Sequence, residues 1–549
     1  MHVFSYAPYG AEGILVRVEA DIRRGIPGVD VTGLADASVR EARERVRAAF
    51  RNSGYAFPQD RVLVNLAPAG VRKEGAGLDL PIALAVMAAA GLAPSPEGLM
   101  VLGELELSGR LRGVRGVLAA TAAGLRCGVE GFIVPAENGA EASILADGRC
   151  AAVANLREAA HALCARAELG RLPALVSSAS PGRPEGPIGH AAPAAGDFSE
   201  VRGQERYKRA LEIAAAGGHN LLVFGPPGAG KTMLARRFPS ITAPLTEEEA
   251  VEATRLRSLA GLLPTDGTLV TTPPFRAPHH SASAEGILGG GRVVRPGEIS
   301  LAHFGTLFLD EAPEFRSNVL RALREPLEDG VVTISRAEGS LRLPADFQLI
   351  LAANPCPCGR LGAPAPRPAA SGADASGPRA PGPEADGFSS CFCSGEEIAR
   401  HWRRLGSALL DRVELRVPLL PAPPSALPDP RGEPSRAVAS RVARAVERQR
   451  ARLSAFGLRR NARLPPALVD RFCVLDDAAA AAFTRAAERL SLSGRASHAV
   501  LRVARTIADL EEREVIGAEA VLEAVQHRRF GDDPYDLLQL RPSTGTPSR

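Results

Sequence analysis

The chain has 549 residues, of which 45% are hydrophobic and 23% are charged, and its formal net charge is +4. This length is too great for one core, so we expect about three domains in a globular protein. The sequence has no basic leader before a long apolar run and no uncharged apolar stretch of about 18 residues. We therefore predict a cytoplasmic protein without a membrane span. Eight cysteines are too few for a disulfide scaffold in so long a chain, and closely spaced ones favour metal or redox chemistry.

The first predicted unit covers residues 1–172. Strand-like segments such as ILVRVEADI alternate there with helical segments such as LDLPIALAVMAAAG. This alternation predicts a compact α+β domain. Residues 173–196 are rich in Pro, Gly, Ala and Ser and lack apolar periodicity, so we predict that they form a flexible linker.

The second unit, residues 197–420, contains LLVFGPPGAGKT, an apolar strand followed by the spacing G-x-x-x-x-G-K-T and a helix. Backbone N–H groups of such a loop surround phosphate oxygens, Lys231 would reach the β- and γ-phosphates, and the Thr232 hydroxyl would bind Mg²⁺. The predicted nucleotide-binding residues of the loop are Gly225, Pro226, Pro227, Gly228, Ala229, Gly230, Lys231 and Thr232.

Two more apolar strands add candidate catalytic residues. GTLFLDE ends in Asp310, placed to hold Mg²⁺ through water, and Glu311, placed to polarise the water that attacks the γ-phosphate. FQLILAAN delivers Asn354 to a strand end, where its amide could orient the same water or simply cap its own loop.

Two C-x-C pairs follow, one in NPCPCGR and one in CFCS. Together they can supply the four thiolates of a tetrahedral Zn²⁺ site, with four ordinary loop thiols as the alternative. The candidate ligands are Cys356, Cys358, Cys391 and Cys393. The intervening residues 361–387 are rich in Pro, Ala and Gly and are predicted to be a disordered insertion.

Two other segments of this unit have distinctive patterns. VVTISRAEGSLRLPADFQ alternates on both sides of AEG, which predicts a β-hairpin with Arg336 near its tip. GILGGGRVVRPGE is glycine-rich and predicts a mobile loop carrying Arg292 and Arg295. We assign the adjacent His279 and His280 a structural or coupling role, because no third metal ligand is near them in the sequence.

The last unit is predicted to be helical. A Pro-rich linker, residues 421–435, precedes an all-α region at 436–530 and a tail at 531–549. In this region Val500, Val503 and Ile507 recur at helical spacing. The run RVARAVERQRARLSAFGLRRNAR carries many arginines, which are either a solvated face or a track for phosphates.

Taken together, these motifs resemble the ComM/YifB family of magnesium-chelatase-like AAA+ ATPases. The order VRGQ, GPPGAGKT, GTLFLDE, AANP is similar to AAA+ ATPases in general, and PFRAPHHSAS, RPGEISLAHFGTLFLDE, LREPLEDG, NPCPCG, LLDRVEL and ARTIADL are similar to this family. The resemblance covers almost the whole chain. It implies three parts: a Lon-protease-like (S5-like) α+β N-terminal domain, an α/β P-loop AAA+ core with a parallel sheet, and an all-α C-terminal lid.

The resemblance also implies site residues outside the phosphate loop. Arg412 in LLDRVEL matches the arginine that such motors offer to the neighbouring subunit's γ-phosphate, with an ordinary ion-pair arginine as the alternative. Arg495 in LSGRASHAV resembles the lid arginine that senses nucleotide within its own subunit, with a surface role as the alternative. Val201 and Gln204 match the stretch beside the adenine. An arginine shared between subunits requires a ring, and the implied ring is a homo-hexamer.

The implied activity is ATP- and Mg²⁺-dependent movement on single-stranded or branched DNA, as a branch-migration helicase in recombination and natural transformation. Arg336, Arg292 and Arg295 would then contact phosphates without reading bases. One alternative is a magnesium-chelatase-like ATPase that remodels a partner subunit. A Lon-like peptidase is disfavoured, because the positions of its serine and lysine fall on Gly77 and Leu118.

Overall fold

The computed structural model describes residues 1–34, 37–70, 73, 76–173, 196–263, 267–291, 294–336, 339–361, 391–420 and 432–528. The predicted linker 173–196 and insertion 361–387 lie almost entirely outside the described residues, as does most of the linker 421–435 and all of the tail 531–549. Within the described part, no helix combines the length and apolarity needed to cross a membrane.

The N-terminal domain is built on a seven-stranded mixed sheet. The strands of this domain are β1 (His2–Ala7), β2 (Ile14–Arg23), β3 (Gly28–Thr32), β4 (Arg61–Ala67), β5 (Leu99–Val101), β6 (Glu104–Leu105), β7 (Leu111–Arg112), β8 (Gly131–Pro135) and β9 (Cys150–Val153). The sheet order is β3-β4-β2-β1-β5-β8-β9, with β6 and β7 as a separate hairpin. The helices are α1 (Ala37–Asn52), α2 (Asp79–Ala89), α3 (Val117–Arg126), α4 (Gly139–Ala146) and α5 (Leu156–Leu169).

The burial pattern of this domain follows its sequence periodicity. In β4, Val62, Val64 and Leu66 are fully buried while the residues between them are partly exposed, as expected for a sheet that packs one face on a core. Helix α2 is buried along almost its whole length, which explains why its sequence is continuously apolar.

The central domain has a five-stranded, entirely parallel sheet with strand order β11-β14-β17-β10-β18. Its strands are β10 (Leu221–Phe224), β11 (Phe275–Arg276), β14 (Thr306–Leu309), β17 (Gln348–Ala353) and β18 (Leu415–Pro418). The antiparallel pairs β12 (Gly289–Gly290) with β13 (Arg295–Pro296) and β15 (Val331–Arg336) with β16 (Gly339–Pro344) lie outside this sheet. The helices are α6 (Glu205–Gly217), α7 (Lys231–Ala235), α8 (Glu247–Ala260), α9 (Ala284–Leu288), α10 (Glu298–Leu301), α11 (Ser317–Ala322), α12 (Arg324–Asp329), α13 (Gly395–Arg403) and α14 (Ser407–Leu410).

Both faces of the central sheet are covered. Successive residues of β10 enter different cores: Leu221 and Val223 pack into one, and Leu222 and Phe224 into the other. A strand that is buried on both faces has no side that faces solvent, so its sequence is an unbroken run of apolar residues.

The C-terminal domain is all helical, with α15 (Ser435–Leu453), α16 (Pro466–Phe472), α17 (Asp477–Arg489), α18 (Gly494–Leu510) and α19 (Ala518–Arg528). The predicted apolar stripe of α18 is confirmed, since Val500, Val503 and Ile507 are buried. They share one continuous core with α6 and one face of the central sheet. The predicted fold class, an α+β domain, a parallel-sheet P-loop core and a helical lid, is therefore confirmed.

The arginine-rich run of residues 441–463 is largely occupied by ion pairs. Its pairs are Arg441 with Glu212 and Glu433, Arg444 with Glu512, Arg450 and Arg459 with Glu249, Arg452 with Asp509, and Arg463 with Asp346. Because Glu212, Glu249 and Asp346 belong to the central domain, much of this run joins the lid to the core instead of forming an open phosphate track.

Candidate nucleotide site

The phosphate loop begins at the carboxyl end of β10. Gly228 and Gly230 have φ angles of 79° and 89°, in the left-handed region that glycine adopts without a Cβ penalty. A Cβ on Gly225 would lie 2.2 Å from the carbonyl oxygen of Leu419, so the close approach of the next strand also requires glycine there. Helix α7 starts directly after this loop, at Lys231.

Lys231 lies at the centre of the loop. Its Nζ donates hydrogen bonds to the carbonyl oxygens of Gly225 (2.5 Å) and Pro226 (3.0 Å) and to Oδ1 of Asn354 (3.0 Å). Burial lowers the pKa of Lys231 to about 8, and the charge of Asp310 opposes that change. The structure therefore brings Lys231 and Asn354, which were predicted from separate motifs, into direct contact.

Thr232 and Asp310 form the second contact of the site. The Thr232 hydroxyl donates to Oδ2 of Asp310 at 2.8 Å, and the backbone N–H of Glu311 donates to Oδ1 of the same carboxylate at 3.0 Å. A hydroxyl and a carboxylate oxygen side by side next to a phosphate loop are the hard oxygen ligands that Mg²⁺ prefers. The donor set fits the ion that the phosphate loop motif predicts.

Glu311 projects from the site with half of its side chain exposed, and its backbone has a φ of 52°. Nδ1 of His280 lies 3.5 Å from Oε2 of Glu311. His279 instead contacts the hydroxyl of Ser281. We predicted only a structural or coupling role for the histidine pair, whereas the structure places His280 beside the predicted catalytic base. His280 follows β11, and Asp310 follows the neighbouring parallel strand β14. This shared sheet edge is the feature of the sequence from which the contact could have been predicted.

Gln204 contacts the phosphate loop from the start of α6. The amide of Gln204 donates to the carbonyl oxygens of Ala229 (3.2 Å) and Leu420 (2.7 Å), so it ties the phosphate loop to the end of β18. Val201 is buried in the adjoining core. Sequence reasoning did not single out Tyr207, whose buried hydroxyl donates to the carbonyl oxygen of Lys231 at 3.3 Å.

Helix α13 holds the chain just after Asn354. Nε2 of His401 donates to the Asn354 carbonyl oxygen at 3.1 Å, and Nε1 of Trp402 donates to the Pro355 carbonyl oxygen at 3.0 Å. The Trp402 ring also meets the Phe224 ring edge to face, with centroids 5.4 Å apart. These contacts fix the path of the backbone where it leaves β17 at Asn354 and Pro355.

The four predicted zinc ligands converge on one point. Three of the Sγ–Sγ distances are 3.4–3.5 Å, and the sulphur atoms of Cys356, Cys358, Cys391 and Cys393 all lie within 4.8 Å of one another. These distances are far longer than a disulfide of about 2.05 Å. They are close to the edge of about 3.8 Å in a tetrahedron with zinc–sulphur bonds of about 2.3 Å. The cluster could therefore hold a metal ion.

The thiol cluster adjoins the phosphate loop. A Cβ on Gly359, which follows Cys358, would lie 3.0 Å from the Pro227 side chain. Cys356 is buried, whereas the other three cysteines are at least partly exposed. The loop that carries Cys356 and Cys358 therefore contacts the phosphate loop at Pro227.

Arg412 and Arg495 meet at one carboxylate. The Arg412 guanidinium pairs with Oε1 of Glu328 and donates to the Ala408 carbonyl, and only 14% of its side chain is exposed. Nη2 of Arg495 lies 3.1 Å from the same Glu328 oxygen. Among the described residues, neither guanidinium bonds to the phosphate loop of its own chain. The nucleotide-sensing role of Arg495 inside its own subunit stays a prediction.

The three candidate DNA-contacting arginines are only partly described. Arg336 is the last residue of β15 and pairs with Gly339, which confirms the hairpin, but its side chain lies outside the described residues, as does the whole of Arg292. Arg295 is exposed in β13. The two hairpins touch, because a Cβ on Gly289 would lie 3.4 Å from the Ile334 side chain.

The protease-like positions contain no catalytic pair. Leu118 is fully buried, and its N–H donates to Oε1 of Glu141 at 2.8 Å. Lys73 is also buried, and its ammonium donates to the carbonyl oxygens of Gly33 and Pro68. The Lys73 amine is therefore engaged with backbone carbonyls, and position 77 is a glycine, which has no side chain to act as a nucleophile.

Comparison with known proteins finds family models that match three parts of the chain. The family model for subunit ChlI of magnesium chelatase matches residues 197–376, a second ChlI model matches residues 18–138, and the ChlI C-terminal model matches residues 432–528. Protein YifB of Salmonella typhimurium is 40% identical over 96% of this chain and 96% of its own. An uncharacterized protein of Mycobacterium tuberculosis is 40% identical over 96% of this chain and 98% of its own. Competence protein ComM of Haemophilus influenzae is 37% identical over 96% of this chain and 97% of its own.

Proposed function

Because the chain belongs to the ComM/YifB family of magnesium-chelatase-like AAA+ ATPases, we propose that it is a hexameric ATP-driven motor that moves along DNA. Its activity would be branch migration during recombination, in the context of natural transformation. The name of one relative, competence protein ComM, supports this context. ATP and Mg²⁺ are the substrate and cofactor that the family implies.

The observation that carries the proposal is the convergence of Lys231, Thr232, Asp310, Glu311 and Asn354 at the carboxyl edge of one parallel sheet. Lys231 would exchange its carbonyl partners for oxygens of the β- and γ-phosphates. Thr232 and Asp310 would hold Mg²⁺, which neutralises phosphate charge when bound. Glu311 would take the proton of the attacking water while the Asn354 amide orients that water.

Two features support a ring. Arg412 pairs with Glu328 and makes no bond to its own phosphate loop among the described residues, as expected for a side chain that serves a neighbouring subunit. The hairpin β15–β16 and the adjoining pair β12–β13 lie outside the central five-stranded sheet. In a ring, these hairpins would line the channel and contact the DNA phosphates through Arg336, Arg292 and Arg295, whichever bases are present.

The test is steady-state ATP hydrolysis with and without single-stranded and branched DNA, coupled to a junction-migration assay. We expect both DNAs to stimulate hydrolysis and junctions to migrate only with ATP. Arg336→Ala should leave the basal rate largely intact and weaken stimulation, while Arg23→Ala, an exposed arginine of the N-terminal domain, should change neither. Binding should also weaken steeply with salt, because phosphate contacts release counterions.

The second candidate is a motor that remodels a protein partner. All three matching family models are those of a magnesium chelatase subunit, and this observation favours it. If DNA fails to stimulate hydrolysis while a protein partner binds tightly and stimulates it, the second candidate replaces the first.

We also propose that the four converging thiols bind one structural Zn²⁺ ion. Wild type and Cys164→Ser, which removes an exposed thiol elsewhere, should each contain about one zinc per chain, and Cys358→Ser should lose it. Metal-free wild type in which all four thiols are freely alkylated would exclude the site. Structural zinc of this kind contributes about 10–16 kcal/mol in small peptides, so removal of the ion should loosen the loop beside Pro227.

A further inference from the structure

Glu328 is the shared ion-pair partner of two arginines from different parts of the chain. Arg412 follows α14, and Arg495 lies in the first turn of the lid helix α18. Both guanidinium groups reach the same atom, Oε1 of Glu328. The carboxylate itself is 45% exposed. None of the motifs in the sequence gives Glu328 a role.

The helix that carries Glu328 leads directly into the β15–β16 hairpin. Helix α12 ends at Asp329, Gly330 turns the chain with a φ of 67°, and β15 begins at the next residue. On the returning arm, the N–H of Ala345 donates to the Gly330 carbonyl oxygen. Only Gly330 separates α12 from β15, and it is held by the returning arm, so a displacement of the hairpin would act on α12 and on Glu328.

The lid grips the base of the same hairpin through a third arginine. Nη1 of Arg463 donates to the Leu327 carbonyl oxygen at 2.6 Å, and its Nη2 pairs with Asp346, just beyond β16. Through Arg463 the lid thus holds α12, which precedes the hairpin, and the residue just beyond the hairpin, next to the carboxylate that pairs with Arg412 and Arg495.

The pairing with Glu328 leaves the Arg412 guanidinium only partly satisfied. Its Nε is buried and has no hydrogen-bond partner among the described residues. A guanidinium has five donors, and Arg412 uses its two terminal nitrogens on Glu328 and the Ala408 carbonyl. A γ-phosphate offers several anionic oxygens and would compete with Glu328 for this group.

We propose that Glu328 is a positioning residue that keeps Arg412 and Arg495 paired within their own subunit until movement of the hairpin releases them toward the neighbouring nucleotide. This inference rests on the proposed ring ATPase, and it adds the link between the hairpin and the neighbour's hydrolysis. Glu328 would act on turnover by occupying the guanidinium groups that the neighbouring site requires.

The test compares Glu328→Gln, which removes the charge and keeps the shape, with Glu325→Gln, an exposed carboxylate on the same helix. Loss of a partly exposed ion pair should raise basal kcat by about fivefold and leave the KM for ATP unchanged. The DNA-stimulated rate should stay near its wild-type value, so the stimulation ratio falls. Glu325→Gln should match wild type, and Glu328→Asp should restore a low basal rate.

A mixed-ring experiment separates action on the neighbour from action within the subunit. The double variant Lys231→Ala/Glu328→Gln cannot hydrolyse ATP itself but carries released arginines. Added to wild-type subunits, it should give more turnover than the same amount of Lys231→Ala alone. Equal turnover in the two mixtures would contradict the inference.

The outcomes also separate this inference from the function on which it rests. If Arg412→Ala abolishes turnover while Glu328→Gln has the wild-type basal rate or a lower one, the neighbour-directed arginine stands and the role of Glu328 is refuted. If Arg412→Ala retains full activity, the shared-arginine mechanism falls, and the inference falls with it. Absence of DNA stimulation would refute only the DNA motor, because the basal-rate increase is measured without DNA.

Discussion

Asn354→Ala tests whether the strand-end amide acts in the transition state or only holds Lys231. The side chain makes one hydrogen bond to the Lys231 ammonium, at 3.0 Å. A hydrogen bond to a charged group contributes about 1.5–3 kcal/mol, which corresponds to about 10- to 150-fold. Lys231 keeps its contacts with the carbonyls of Gly225 and Pro226, so removal of the amide leaves it close to its present position.

The two roles predict different kinetic constants. Lys231 would contact phosphate in the ground state and the transition state alike, so loss of a mere holder would raise the KM for ATP. Loss of a group that orients the attacking water should instead lower kcat, by about 10²- to 10³-fold as for other preorganised donors. We expect the second result, with KM within about threefold of wild type. Unchanged kcat with a raised KM, in a variant whose thermal unfolding matches wild type, would refute the catalytic role of Asn354.

Three further outcomes follow from the same contacts. Lys231→Ala should abolish ATP binding and turnover, while Glu311→Gln should bind ATP and fail to hydrolyse it; full ATPase activity of either purified variant would refute the site. Trp402→Ala should destabilise the protein by about 3–5 kcal/mol and lower kcat, because it removes both a buried ring and the hydrogen bond that directs the chain after Asn354. Lowering the pH from 7 to 5 should cost about 2 kcal/mol through His219, whose pKa burial lowers from 6.5 to about 3, since only the unfolded ring gains a proton in that range. This stability is fully present above pH 6.5 and falls as the pH drops toward 3, and His219→Gln should flatten the dependence of the unfolding temperature on pH.

The nucleotide site could be predicted from the sequence because each part of it is local. A parallel strand buried on both faces is a continuous apolar run, and the residue at its carboxyl end is the one that meets the ligand. Asp310 and Asn354 both follow such runs, and the glycine spacing of the phosphate loop identifies Lys231. Since β10, β14 and β17 are neighbouring parallel strands, their carboxyl ends bring these three side chains to one edge of the sheet.

The contacts that hold the site are not local, so the sequence does not reveal them. His401 and Trp402 reach the chain after Asn354 from a helix on the far side of the insertion. Glu328 lies 167 residues from Arg495, and nothing in the spacing of either residue indicates their contact. The arginine-rich run shows the same limit, because helical periodicity marks a basic face but does not show that carboxylates of another domain cover it.

The N-terminal domain contacts the central domain at the start of α3. Glu141 accepts hydrogen bonds from the backbone N–H of Leu118 and from the hydroxyl of Ser258, which lies on α8 of the central domain. A Cβ on Gly116 would lie 3.1 Å from Leu259, the next residue of that helix. The start of α3, where a Lon-like enzyme would carry its lysine, is therefore part of the surface that docks on the central domain.

Helix α8 extends that contact to the rest of the molecule. At its other end, Glu249 pairs with Arg450 and Arg459 of the lid. One helix thus joins the protease-like domain, the central sheet and the lid. The turn at Gly10 of the N-terminal domain also reaches the hairpin, since a Cβ there would lie 3.3 Å from the Arg342 carbonyl oxygen. The N-terminal domain therefore contacts both α8 and the hairpin, so a movement of the hairpin would change its contact with this domain.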